Sequence, residues 1–142
     1  MSETIAAVWR RFAEELFNGR NLDLVDEIYA PENLHNGRAV TPAANRRIIG
    51  AILKAFPDGR MTVEDQLTVD DRVVTRWTLT GTDTGGYMGS AATGKPIKVG
   101  GISISQIEGG KIAEEWEYFN EGGLLRQLGA IQPPSFGPGR PR

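Results

Sequence analysis

The spacing of apolar residues changes once along this chain of 142 residues, and that single switch limits what it can fold into. Up to Phe56 the apolar positions recur every three or four residues; from Met61 to Phe119 they alternate with polar ones. The first spacing gathers side chains on one face of a helix, the second on one face of a strand. Neither element can leave its apolar side in water, so the two kinds must cover each other. Helices gathered first and antiparallel strands gathered later predict an α+β domain in which a curved sheet wraps the helices. One domain is expected, over residues 1–131, because a chain of this length supports a single core.

In the helical half, Ile5, Val8, Trp9, Phe12 and Leu16 form the first stripe, with Gly19 as its stop. Asn21 caps a second, shorter helix carrying Leu24, Val25, Ile28 and Tyr29, which Pro31 halts. Thr41-Pro42 is a cap and first-turn pair for a third helix with the stripe Ile48, Ile49, Ile52, Leu53 and Phe56. In the second half, Met61, Val63, Leu67 and Val69 alternate with polar neighbours, and Asp70-Asp71 turns the chain into a return strand over 72–82. Glycine-rich loops follow over 81–96. Segments 97–107 and 111–119 then pair across Gly109-Gly110, a strong hairpin signal. Leu124, Leu125 and Leu128 suit a last short helix. The prolines and glycines of residues 132–142 predict a disordered tail.

Composition removes several function classes. Sixteen basic and 18 acidic residues leave a formal charge of −2, without the basic excess of a nucleic-acid binder. The longest apolar run, residues 48–53, is far below the ~20 residues needed to cross a membrane. The absence of cysteine removes disulfides and thiolate catalysis, and a single histidine argues against a metal site. No leader-like segment is seen, so a cytoplasmic location is expected.

On the last strand, alternation puts Glu114, Trp116, Tyr118 and Asn120 on one face and Glu115, Glu117 and Phe119 on the other. Two rings and an amide would suit a pocket wall, together with the hydroxyls of Ser103 and Ser105 from the neighbouring strand. The alternative makes Trp116 and Tyr118 core and Asn120 a helix cap. Glu115 and Glu117 are most simply a solvated or subunit-facing surface. His35, the one side chain that ordinarily titrates near neutrality, is the candidate general acid or base. Arg76, mid-strand, either covers the outer sheet surface or grips an oxygen inside. No carboxylate set has metal-ligand spacing, and the glycines of 81–94 do not form a phosphate loop.

Several segments in order, Phe17-Asn18-Gly19-Arg20-Asn21, Tyr29-Ala30-Pro31 with His35, Ala55-Phe56-Pro57-Asp58, Asp71-Arg72-Val73-Val74 and Arg76-Trp77, give the chain a recognisable pattern. Met88-Gly89, Thr93-Gly94-Lys95, Gly109-Gly110-Lys111-Ile112 and the run from Leu124 to Gly129 continue it. Over residues 5–130 the chain resembles the SnoaL-like polyketide cyclases, of the nuclear transport factor 2-like (cystatin-like) superfamily.

The resemblance implies a cone-shaped α+β fold with a mixed, mostly antiparallel sheet and an apolar pocket at its mouth. It also implies a homodimer through the convex sheet face and a cofactor-free enzyme of secondary metabolism acting on a polyketide-like substrate. The family's acid–base aspartate falls here at Asn120, and the histidine that assists in some members falls at Ser103. An amide takes up no proton near neutrality, so the ordinary aldol mechanism does not carry over unchanged. The expected site is His35 and Asn120 as catalytic residues, with Trp116, Tyr118, Ser103, Arg76, Met88 and Phe17 binding substrate. A polyketide hydroxylase or a non-catalytic metabolite binder are the alternatives.

Overall fold

The computed structural model describes residues 2–131; the expectation for the tail lies outside them. Helix α1 spans Ser2–Arg11 and runs on through a widened turn, Phe12–Phe17, whose backbone bonds reach five residues, as in Asn18 N–H to Ala13 O at 2.9 Å. Positions five apart on a regular α-helix point about 140° away from each other. The wider turn brings Phe12 and Phe17 towards one side, where both are buried. A 3₁₀ turn at Leu22–Leu24 and a short α2, Val25–Ile28, follow.

Next comes β1, Tyr29–His35, where the sequence pattern suggests a helix stopped by Pro31. Pro31 lies inside this strand, in the irregular stretch between the Tyr29 and Leu34 registers, where a residue without an N–H is tolerated. Asn36-Gly37, with φ of +50° and +83°, turns β1 back into β2, Arg38–Val40. That Asn-Gly pair is a hairpin signal in its own right, and it outweighs the helical reading of the residues before it.

Helix α3, Pro42–Ala55, begins as expected: the Thr41 hydroxyl accepts the Ala44 N–H at 3.3 Å and Pro42 opens the first turn. The remaining strands are β3, Arg60–Val69, β4, Arg72–Thr82, β5, Pro96–Glu108, and β6, Lys111–Phe119. Helix α4, Glu121–Gln127, ends the regular structure. The six strands form one sheet in the order β2-β1-β6-β5-β4-β3, antiparallel except where β1 lies parallel to β6. The α+β architecture with a curved, open, mixed sheet around helices is therefore as the sequence predicts.

Register fixes which residues share a face. Across β4, β5 and β6, Thr75 stands beside Ser103 and Glu117, and Val73 beside Ser105 and Glu115. These rows point inward, towards the helices. Val74, Ile104 and Trp116 form a neighbouring row on the outer face, as do Arg76, Ile102 and Tyr118. Trp9, Leu16, Ile28, Phe56, Val73 and Ile112 anchor the core between helices and sheet. Gly101 is an inward position without a side chain, and a Cβ there would sit 2.3 Å from the Trp77 ring. The glycine is what leaves room for that indole.

Candidate active site

Helices and sheet do not close completely. Between them lies a hollow of about 110 Å³, open at its mouth. Its wall is largely apolar: Phe12 and Phe17 from the widened turn, Ile48, Ile49 and Ile52 from α3, and Trp77, Leu79 and Val99 from the sheet. Three titratable groups near one another interrupt that wall. His35 stands at the end of β1, and Glu115 and Glu117 stand two apart on β6.

The parallel pairing of β1 with β6 sets His35 beside Glu115. Its Nδ1 lies 3.9 Å from Glu115 Oε1, and its Nε2 lies 3.9 Å from Glu117 Oε1. The two carboxyl groups are held differently. Glu115 is buried, and its Oε2 accepts hydrogen bonds from the Trp9 indole N–H at 2.9 Å and the Ser105 hydroxyl at 2.8 Å. Burial pushes its carboxyl above the usual range, and the opposing effect of those two donors and the imidazole is smaller, so the carboxyl stays raised. Glu117 accepts from the Ser103 hydroxyl at 3.1 Å, and Ser103 in turn accepts the Trp77 indole N–H at 3.1 Å. Burial and the neighbouring Glu115 charge push the Glu117 carboxyl up to about 8. The phenol of Tyr29, also on the wall, is raised well above its usual value by burial and by the same two carboxylates.

An imidazole between two carboxyl groups in an apolar hollow is an arrangement for moving protons. Near neutrality Glu117 keeps its proton and can donate it, Glu115 holds two hydrogen-bond donors, and His35 stands 3.9 Å from each carboxyl group. Among the described residues no set of acidic and histidine side chains is placed to hold a metal ion. No helix there is long and apolar enough to cross a membrane.

The residues singled out from sequence divide sharply. His35 and Phe17 line the hollow. Ser103 lies one bond behind it, fully buried and bonded to Glu117. Trp116 and Tyr118 do not line it: they stand on the outer sheet face, 38 % and 65 % exposed. Glu115 and Glu117 take the inward positions instead, which reverses the expected faces of β6. The reversal is possible because Ser103, Ser105, Trp9 and Trp77 give the buried Glu115 and the half-buried Glu117 a hydrogen-bonded lining.

Asn120 is exposed at the end of β6, and its Oδ1 accepts the Gly123 N–H at 2.9 Å, so it caps α4. Arg76 points outward and pairs with Asp65 at 2.9 Å. Arg76, Tyr118 and Asn120 do meet, but around an open groove on the outer face rather than in the hollow. Met88 is 77 % exposed and faces away; its neighbour Tyr87 lines the hollow, stacked on Phe56 with its hydroxyl bonded to Glu121 Oε2 at 2.9 Å.

The sequence reading missed Glu115, Glu117, Tyr29 and Tyr87. The inward glutamates left one trace: Ser103 and Ser105 occupy the positions of β5 that pair with them, a polar row where a wholly apolar inner face would carry aliphatic residues.

Comparison with known proteins agrees with this architecture. No curated protein sequence matches the chain. Many solved structures do. TsrD from Streptomyces laurentii is 28% identical, with a TM-score of 0.84, covering 92% of this chain and 98% of TsrD. AclR from Streptomyces galilaeus, provisionally described as a hydroxylase, is 25% identical with a TM-score of 0.83, covering 96% of this chain and 87% of AclR. IdmH from Streptomyces antibioticus, provisionally described as a polyketide cyclase, is 25% identical with a TM-score of 0.78, covering 88% of this chain and 98% of IdmH. The profile of the SnoaL-like polyketide cyclases matches residues 7–128, nearly the whole described domain, and the chain belongs to that family.

Proposed function

We propose that the protein is a cofactor-independent enzyme of secondary metabolism that closes a ring on a polyketide-like substrate, using His35 and Glu117 for proton transfer. The observation that carries this reading is the convergence of His35, Glu115 and Glu117 on one wall of an otherwise apolar hollow. Such a wall holds a flexible apolar chain folded, and bringing two reacting carbons together is itself worth several kcal/mol.

The chemistry follows from the two kinds of carboxyl group. Protonated Glu117 donates to a substrate carbonyl oxygen while the neutral His35 imidazole removes a proton from the carbon beside a second carbonyl. The C–H bond breaks, the new C–C bond forms, and the first carbonyl oxygen becomes a hydroxyl bearing the Glu117 proton. Return of the proton from His35 Nε2 to Glu117 Oε1, 3.9 Å apart and so bridged by a water or drawn together first, resets the site. Glu115, fixed by Trp9 and Ser105, stabilises the imidazolium formed in between.

Asn120, whose side chain is spent on the α4 cap, has no part in this scheme. The likeness to AclR supports a second reading, oxygenation of a similar ring system. The test offers linear and partly cyclised polyketones and follows products by mass spectrometry. Ring closure changes the mass by zero or by loss of water, whereas hydroxylation adds one oxygen. Glu117→Gln and His35→Ala should each slow closure by at least about tenfold. Binding without any product from the whole panel points to a metabolite binder and sinks the enzyme reading.

The outer face supports a homodimer. Ile102, Ile104, Trp116 and Tyr118 form an exposed apolar patch there, and a second copy of the same sheet would cover it. Sedimentation at micromolar concentration decides this, and a monomer at all concentrations rules it out.

A further inference from the structure

Asn36 lies outside the hollow, in the turn that leads the chain away from β6. The backbone ladder between β1 and β6 makes its last bond there, from the Asn36 N–H to Glu115 O at 2.9 Å. Beyond that point the side chain takes over. Its Oδ1 accepts the Glu117 N–H at 2.7 Å, and its Nδ2 donates to the Glu117 carbonyl at 3.0 Å. One amide thus occupies both backbone groups of Glu117, as a paired residue of an antiparallel strand would do. The residue just before the clamp is His35 and the residue inside it is Glu117.

We propose that Asn36 is a positioning residue whose amide clamps the Glu117 backbone and so holds the Glu117 carboxyl group facing the His35 ring on the wall of the hollow. The meaning of this for turnover rests on the acid–base reading above, but the geometry does not. Glu117 faces His35 and Tyr29 from β1, Glu115 on its own strand and Ser103 from β5; Arg38, opposite His35 in the hairpin, is exposed. Asn36 is uncharged, so replacing it alters the position of Glu117 without altering the charges around it. Burial among these groups raises the Glu117 carboxyl, and a released side chain reaches water.

The test is Asn36→Gly, which keeps the left-handed turn and removes only the amide. The Glu117 carboxyl is titrated by NMR in protein carrying ¹³C-labelled glutamate, with Glu117→Gln identifying its signal. The ring of His35, the single histidine of the chain, serves as a second reporter. No substrate is needed. The clamp predicts that the Glu117 midpoint falls by about one pH unit or more towards the ordinary carboxylate range. The Trp9 indole N–H, bonded to Glu115, should keep its resonance.

A Glu117 midpoint equal to that of the native protein overturns the proposal. So does loss of the Trp9 signal along with the shift, which would mean general loosening. Asn36→Ala repeats the measurement if the glycine variant does not fold. If Glu117→Gln leaves turnover intact while Asn36→Gly still moves the midpoint, the acid–base reading fails and the clamp stands.

Discussion

The two faces of β6 carry opposite chemistry in an order that hydrophobicity alone would reverse. Glu115 and Glu117 point into the hollow, while Trp116 and Tyr118 point out from the sheet. Both faces obey the same two-residue period, so the alternation sorts side chains into two sets without saying which set is inside. What decides it is the neighbouring strand. Ser105 and Trp9 donate to Glu115, and Ser103, backed by Trp77, donates to Glu117, inside the fold; on the outer face the donors to carboxylates, such as the Trp116 indole N–H to Glu114 Oε2 at 2.8 Å, are exposed. A strand can therefore turn its carboxylates inward where its partners are built to receive them.

The largest effect is expected from the deepest member of the inner face. Glu115→Ala removes the common acceptor of Trp9 and Ser105 and leaves two buried donors unsatisfied. Denaturant unfolding should show a loss of about 3 kcal/mol or more. A loss below ~1 kcal/mol would mean that water replaces the carboxylate at no cost, and the inner face would be less closed than described.

Next comes the pH dependence of stability. A carboxyl group whose folded pKa lies above its unfolded value binds its proton more tightly when folded. The stability it contributes is complete in acid and is lost as the pH rises through the folded pKa, here about 8 for Glu117. The melting temperature should fall by several degrees between about pH 5 and 8, and Glu117→Gln should flatten that slope. An unchanged slope in the variant would place the titration elsewhere.

The outer face should respond in association rather than in folding. Trp116→Ala and Tyr118→Ala should shift the proposed dimer towards monomer in sedimentation while changing unfolding free energy by about 1 kcal/mol or less, as suits exposed side chains. A large loss of fold stability in either would show that the ring supports the sheet from outside.

The smallest effect is expected at Asn120. Losing a helix cap costs about 1 kcal/mol. Asn120→Ala should cost that much in urea unfolding and leave turnover within about twofold, since the side chain is turned to the Gly123 N–H. A tenfold fall in turnover would bring Asn120 back into the site and undo the division between the two faces.

Local patterns determined much of this protein. The period switch at residues 56–61, the Thr41-Pro42 cap and the Gly109-Gly110 turn each depend on a few adjacent residues, and the helices, the hairpin and the fold class follow from them. His35 was legible as a site candidate because it is chemically distinctive, whereas Phe17, beyond the apolar stripe that ends at Leu16, was named only by the family resemblance. Tertiary structure decided the rest. Asn36-Gly37 marks the hairpin of residues 29–35 with β2, but their parallel pairing with β6 joins segments about 80 residues apart and no local pattern records it. The same pairing set His35 beside Glu115, and the register of β5 against β6 set a serine beside each inward glutamate. Period two names the sets of side chains that travel together; the helices packed on one side of the sheet, and the serines of β5 with Trp9 that receive the glutamates there, choose which set meets the hollow and which meets water.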